Sequence, residues 1–196
     1  MADNSGPGPE SDPKVYVNAG EAKKFVENVL IGNGVSPSNA AVVAGCLVAA
    51  DLRGVDTHGI NRIPSYMARV RQGVLDAAAS PELNKVTPVV AQVDGHNGFG
   101  FLAARLGMDT AIEMAREFGI GMVSVKHSNH FGMSAWICQQ AIDAGMMSLY
   151  VCHSPSGSLE LIQLRANSPG HPCSAVPYCG LYCTYQDTQE LTHIFS

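Results

Sequence analysis

A histidine and an arginine stand four residues apart in the segment DLRGVDTHGINRIP at residues 51–64. His58 can move a proton near neutral pH, and Arg62 can grip a carboxylate through two parallel hydrogen bonds. If the segment forms one helical turn, the two side chains point the same way. Together they could act on a small oxo- or hydroxy-acid, although the same spacing is also typical of a solvated helix face.

A second polar segment, KHSNHFG at residues 126–132, follows an apolar strand-like run and precedes a helical pattern. Polar residues at the exit of a strand are where open α/β sheets bind their ligands. We therefore expect Ser128 and Asn129 to orient this loop or to bind the substrate, and His127 to be structural. His127 and His130 have the spacing of metal ligands, but no neighbouring carboxylate or thiol completes a site.

His130 is the second acid–base candidate. Its alternative role is that of a structural histidine whose ring nitrogens bind backbone groups at the strand exit. His58 ranks first because Arg62 accompanies it, and Thr57 supplies a hydroxyl that can orient the His58 ring or bind the carboxylate. The sequence leaves open which of the two histidines leads.

The elements that must position these side chains begin with a helical part. Capping patterns predict one helix after Asn18, a second from Ser36 to about Arg53, and a third over 65–72. The segment 57–63 between the last two is predicted to be a loop or a single helical turn. The predicted apolar stripe of the first helix comprises Phe25, Val26, Val29 and Leu30.

The second half of the chain alternates strand and helix patterns. A β-branched run predicts a strand, and apolar periodicity predicts further elements. These are strands over 86–93, 120–125 and 146–151, and helices over 101–118 and 133–144. This order implies a parallel sheet layer, so the predicted fold class is α/β.

A glycine-rich segment, Gly98-Phe-Gly-Phe-Leu-Ala103, matches the dinucleotide fingerprint G-x-G-x-x-A between a strand and a helix. The acid expected at the end of the next strand is missing, and Lys126 stands there instead. We therefore predict that the glycines form a tight turn with close packing. Dinucleotide binding by this segment is the alternative.

Composition describes a globular chain of 196 residues, with 46% hydrophobic and 15% charged residues. A net charge of −5 argues against nucleic acid or an anionic membrane as the main partner. The longest apolar run is too short to span a bilayer, and the N-terminus has no apolar core, so we expect a cytoplasmic protein. Cys173, Cys179 and Cys183 cluster near the end, but their spacing is not that of known zinc modules, and no metal site is expected.

The segment DLRGVDTHGINRIPSYMARVRQG resembles the substrate segment of the malate/L-lactate dehydrogenase family of the second type. SNHFG with its following helix resembles the second signature of that family, and VDGHNGFGFLAARLGMDTAIEMAREFGIGMVSV is similar to the segment between them. The resemblance runs from about Val15 to about Val151. It implies an oxidoreductase that uses NAD or NADP, a small 2-hydroxy or 2-oxo acid as substrate, a homodimer, and a nucleotide-binding fold that is not a Rossmann fold.

The resemblance also implies roles for individual residues. His58 would act as the general acid in reduction and as the general base in oxidation, while Arg62 holds the substrate carboxylate. Many relatives have serine where this chain has Thr57, so the added methyl group makes the substrate pocket slightly smaller. Ser154 stands near a position that contacts the cofactor in relatives.

Four regions are predicted along the chain. They are a disordered tail (1–14), a helical substrate-facing unit (15–80), a partial α/β nucleotide-binding domain (81–152), and a divergent, poorly ordered tail (153–196). Family likeness stops sharply near Val151, and we interpret the tail as a non-homologous end. The alternative to an enzyme is therefore a catalytically incomplete fragment that acts only as a dimerisation or binding module.

Overall fold

The computed structural model of this chain describes residues 16–153, 159–164 and 178–185. Three helices come first: α1 (Ala19–Gly32), α2 (Pro37–Leu52) and α3 (Ile63–Arg71). Two longer-range elements of the second half are also helical: α4 (Gly100–Phe118) and α5 (Ser134–Asp143). With the sheet described below they form a mixed α/β fold, which confirms the predicted fold class. Within the described residues, no helix is long and apolar enough to cross a membrane.

Side-chain caps start the first two helices, as the sequence predicted. The Asn18 side chain accepts hydrogen bonds from the backbone N–H groups of Gly20 and Glu21, at 2.8 and 3.2 Å. Ser36 caps α2 in the same way, and Pro37 occupies its first turn. Because a cap satisfies donors that have no partner inside the helix, the sequence sets where α1 and α2 begin.

The helical part has its own buried core. Val26 and Leu30 of α1 and Leu47 of α2 are fully buried in one cluster. Phe25 was predicted to share this stripe, but its side chain is 63% exposed. The neighbouring Val26 points inward, and consecutive side chains are about 100° apart around a helix, so Phe25 falls outside the buried face.

The sheet has six strands in the order β1-β2-β3-β6-β4-β5. They are β1 (Glu82–Thr87), β2 (Val90–Asp94), β3 (Ile120–Ser128), β4 (Met147–His153), β5 (Leu159–Leu164) and β6 (Tyr178–Tyr185). The four inner strands run parallel to one another, and the edge strands β1 and β5 are antiparallel to their neighbours. The predicted parallel layer is therefore confirmed.

The strand predicted over 86–93 is wrong in its extent. The structure has two antiparallel strands there, β1 and β2, joined by a turn at residues 88–89. Pro88 has no backbone N–H to donate and a fixed φ, so it ends the first strand and begins the turn. Strand β3 is also longer than predicted and extends to Ser128, which carries the start of the polar loop into the sheet.

The tail contributes two strands where the sequence predicted little order. β6 lies between β3 and β4 and pairs in parallel with both, so it satisfies backbone groups of two inner strands. Its sequence, YCGLYCTY, is rich in aromatic residues and contains threonine, which favour strands. Ser154 and Cys173 lie outside the described residues.

One face of the sheet is covered by α4 and α5. Val123 and Val125 of β3 are buried in the cluster that these helices form with the sheet, whereas Ile120 and Met122, which alternate with them, are about half exposed. Trp136 of α5 packs against this cluster and also against the helical core. The two cores therefore meet, and the candidate residues lie along their junction.

Candidate active site

His58 and Arg62 lie on two consecutive 3-10 turns, Asp56–His58 and Ile60–Arg62, between α2 and α3. The sequence predicted a loop or a single helical turn here. The Arg62 Nε donates to the carbonyl of Thr57 at 2.6 Å, and the Thr57 hydroxyl lies 2.9 Å from the His58 Nδ1. Thr57 therefore links the arginine and the histidine, and its hydroxyl orients the imidazole as one of the two predicted roles required.

The junction between these turns is fixed from α2. The Asp51 carboxylate accepts a hydrogen bond from the Ile60 N–H at 2.9 Å. A Cβ atom at Gly59 would overlap this carboxylate, so the close approach requires glycine. Sequence reasoning did not assign a role to Asp51. The glycine directly after His58 was the signal that a neighbouring group packs against the backbone there.

The second candidate segment begins at the end of β3, next to the end of β2. The His127 Nδ1 lies 3.0 Å from the Asp94 carboxylate, and Lys126 Nζ lies 3.6 Å from it. Burial acts to raise the pKa of the Asp94 carboxyl, but hydrogen bonds from the His96 N–H and the His127 ring outweigh it and hold that pKa below its usual value. His127 thus ties two strand ends together, in agreement with its predicted structural role.

Ser128 and Asn129 are buried between this loop and its neighbours. The Asn129 side chain donates to the carbonyls of Asn97 and Gly98 at 2.8 and 3.1 Å, and it accepts a hydrogen bond from Arg69 at 3.0 Å. The Ser128 hydroxyl donates to the Asn129 carbonyl at 3.3 Å. Because these polar groups are used within the protein, the structure favours a positioning role over the substrate-binding role that we predicted for both.

The fold brings the two candidate histidines face to face. The ring centroids of His58 and His130 are 5.3 Å apart, with an angle of 28° between the planes. Burial, followed by the positive charges of His58, Arg62 and Arg69, lowers the pKa of His130 to about 4. At neutral pH His130 is therefore uncharged, because two adjacent imidazolium ions would repel each other in this cationic neighbourhood.

Tyr66 joins His130 to the helical part. Its hydroxyl lies 2.8 Å from the His130 Nδ1, and its ring is buried. Sequence reasoning missed both Tyr66 and Arg69. A signal was present, since residues 62, 66 and 69 follow the i, i+4, i+7 spacing that puts three side chains on one helix face.

The glycine-rich segment is a tight turn with close packing, as predicted. A Cβ atom at Gly98 would lie 2.9 Å from Ala79 Cβ, and one at Gly100 would overlap the backbone carbonyls of Asn129 and His130. A pyrophosphate at the start of α4 would need open space and N–H groups beside Gly100. The carbonyl oxygens of Asn129 and His130 occupy that space, so the segment does not fit a dinucleotide.

No metal centre competes with this interpretation in the part of the chain that the structure describes. Three or more histidine, cysteine or acidic side chains do not come together there in a geometry that could hold an ion. Cys46 and Cys138 are buried free thiols, as their apolar surroundings in the sequence predicted. Burial raises the pKa of the Cys46 thiol to about 11, which keeps it protonated.

Two stacked imidazoles with two guanidinium groups beside them define an acid–base site for a small anion, set between a helical unit and an α/β layer. The sequence profile of the family described as malate/L-lactate dehydrogenase matches residues 17–161, and the chain belongs to this family. The resemblance predicted from the polar segments is thus confirmed.

Individual relatives agree with this assignment. The chain is 33% identical to the malate dehydrogenase of Pyrococcus abyssi, over 76% of this chain and 42% of that protein. It is 32% identical to the ureidoglycolate dehydrogenase (NAD(+)) of Escherichia coli strain K12, over 70% of this chain and 41% of the relative. The crystal structure of malate dehydrogenase from Entamoeba histolytica matches with a TM-score of 0.65 and 35% identity, over 75% of this chain and 42% of that one. The chain therefore spans about 40% of the length of the curated relatives it matches.

Proposed function

We propose that this chain carries the substrate-facing part of a dehydrogenase that uses NAD or NADP and acts on a small 2-hydroxy or 2-oxo acid such as malate or lactate. The stacked pair of His58 and His130, with Arg62 and Arg69 beside it, is the observation that carries the proposal. A homodimer and a cytoplasmic location belong to the same proposal and are supported by the family resemblance alone.

Arg62 binds the substrate carboxylate. Its Nε is already used by the Thr57 carbonyl, so the two terminal nitrogens remain to form the parallel hydrogen bonds that a carboxylate accepts. The bond to Thr57 also limits the rotation of the guanidinium group. This restraint fixes the orientation of the substrate relative to His58.

His58 handles the proton. The nicotinamide cofactor, when bound, supplies or accepts the hydride. His58 protonates the substrate oxygen in reduction and removes that proton in oxidation. Thr57 holds the His58 ring by its Nδ1, which leaves Nε2 as the atom that exchanges the proton.

The described residues do not supply a cofactor pocket. The segment 98–103 does not fit a pyrophosphate, and Ser154, the predicted cofactor contact, lies outside the described residues. The length of the relatives beyond the matched part favours a second candidate function, a catalytically incomplete fragment that acts as a dimerisation or binding module. A fluorescence titration with NADH and NADPH separates the two, because the absence of saturable binding would favour the fragment.

Replacement of His58 tests the enzyme directly. In an assay of nicotinamide absorbance with oxaloacetate and pyruvate, His58→Ala should lower turnover by about 10²–10⁴-fold, the usual contribution of a general acid–base group. Cofactor affinity should change little. His96→Asn is the matched control, because it removes an exposed imidazole beside Asp94. Equal losses in both variants would contradict the role of His58.

Replacement of Arg62 tests the carboxylate grip. Arg62→Lys keeps the charge but loses the second parallel hydrogen bond, so we expect KM for the acid to rise about tenfold with a smaller change in kcat. Arg71→Lys makes the same exchange on the exposed end of α3 and should leave KM unchanged. An unchanged KM in Arg62→Lys would rule out Arg62 as the carboxylate ligand.

A further inference from the structure

We propose that Tyr66 and the Gly132 backbone lock His130 in the neutral tautomer that carries its proton on Nε2. Tyr66 is then a positioning residue, and His130 is a fixed hydrogen-bond donor. For its catalytic meaning the inference rests on the proposed function, since it divides the work between the two histidines. His58 carries the proton, and His130 donates a hydrogen bond through Nε2–H.

The tautomer follows from the two groups around the His130 Nδ1. The Gly132 N–H donates to this atom at 3.3 Å, and the Tyr66 hydroxyl lies 2.8 Å from it. A backbone N–H can only donate, so Nδ1 must present its lone pair and cannot carry a proton. The Tyr66 hydroxyl, which can donate or accept, then donates as well. The single proton of a neutral ring is left on Nε2.

Both donors are held by the same aromatic core. The Tyr66 ring meets Phe99 and Phe101 edge-on, with centroids 6.0 and 5.8 Å away, and all three rings are buried. Gly132 has a φ of +82°, and a Cβ atom there would overlap the Phe101 ring. A side chain at this position would therefore be both strained and blocked, and glycine places the N–H where Nδ1 accepts it.

Charge acts in the same direction as geometry. A proton on Nδ1 would face two donor groups and would stand among the positive groups His58, Arg62 and Arg69. The alternative tautomer, with its hydrogen on Nδ1, would set that hydrogen against the Gly132 N–H. Both other states of the ring are thus disfavoured by contacts that exist before any ligand binds.

NMR spectra of the full chain labelled with ¹⁵N-histidine test the tautomer without cofactor or substrate. At pH 7 the His130 ring, assigned by the signals that vanish in His130→Gln, should show an unprotonated Nδ1 and a protonated Nε2. A protonated Nδ1 would overturn the inference. In Tyr66→Phe, the ratio of the Nε2–H to the Nδ1–H form should fall about tenfold, since one of the two donors is lost. An unchanged ratio would remove Tyr66 from the lock.

Tyr150→Phe is the matched control, because it removes another buried tyrosine hydroxyl from the core without touching the His130 Nδ1. It should leave the His130 signals unchanged, and the same loss of tautomer there would reduce the effect of Tyr66→Phe to general loosening. The measurement is independent of turnover. A chain with the expected tautomer but no dehydrogenase activity would contradict the proposed function and leave this inference standing.

Discussion

The two histidines of the candidate site are held by regions of opposite construction. His58 lies on short 3-10 turns near the surface, held by the exposed Thr57 and by the bond from Asp51 to the following turn. His130 follows two buried polar residues, accepts hydrogen bonds at Nδ1, and has its backbone packed against Gly100. The difference teaches how one site can contain an imidazole that is free to change charge and another that is kept neutral.

The largest effect that separates these regions is expected from alanine at their glycines. Gly100→Ala forces a Cβ atom into the backbone carbonyls of Asn129 and His130, which cannot rotate away, so we expect the free energy of unfolding to fall by about 3 kcal/mol. Gly59→Ala meets only the Asp51 side chain, which can turn aside, and should cost about 1 kcal/mol. Urea unfolding measures both.

This pair of substitutions can break the comparison. Similar losses of stability in Gly100→Ala and Gly59→Ala would mean that the His58 turns are as rigid as the His130 loop. Gly54→Ala is not a suitable control, because Gly54 has a φ of +72° and alanine there is strained in any surroundings. Gly45, which lies within α2 and has open space around it, is suitable, and Gly45→Ala should be neutral or stabilising.

The next effect is the dependence of stability on pH. The pKa of His130 is lowered from its ordinary value of 6.5 to about 4, so between these values the unfolded chain binds a proton that the folded chain does not. The contribution of His130 is complete above about pH 6.5 and is lost as pH falls toward 4. We expect a loss of about 2 kcal/mol across this window.

Unfolding midpoints in urea at pH 7.5, 6 and 5 check this expectation. His130→Gln cannot be protonated, so its stability should vary less with pH over the same window. His58→Gln removes one of the positive charges that lower the pKa of His130, and it should weaken the dependence without abolishing it. If His130→Gln follows the original chain at every pH, another group causes the loss.

The smallest effect should come from the exposed side of the site. Thr57→Val removes the hydroxyl beside the His58 Nδ1 and keeps a similar shape, and we expect a change in stability of only about 0.5 kcal/mol because the bond is exposed to water. Turnover should fall about twofold, since the imidazole is less well oriented. Thr57→Ser keeps the hydroxyl and should restore turnover. A loss of stability as large as that in Gly100→Ala would show that the turns are not loosely held.

Local patterns in the sequence predicted much of this molecule. The caps at Asn18 and Ser36, the helices, the inner parallel strands and the residues His58, Arg62 and His130 all followed from residue type, spacing and family likeness. These features depend on contacts within a few residues, which a single sequence displays. The tight packing of the glycine-rich turn was predicted for the same reason.

Other features depended on contacts between distant residues. Tyr66 was missed because its partner, His130, is 64 residues away, and the roles of Ser128 and Asn129 changed because their neighbours belong to other loops. The place of β6 between β3 and β4 was likewise beyond any local pattern, since strand order is set by long-range pairing.

By itself, the sequence determined the chemical groups and the family of this protein, because side-chain type and short spacing fix what a segment can do. Only the tertiary structure decided how those groups share the work. It stacked His58 on His130, surrounded the pair with Arg62 and Arg69, and filled the His130 Nδ1 with donors. Burial and neighbouring charge set the proton state of an imidazole, and both arise only when distant segments pack together.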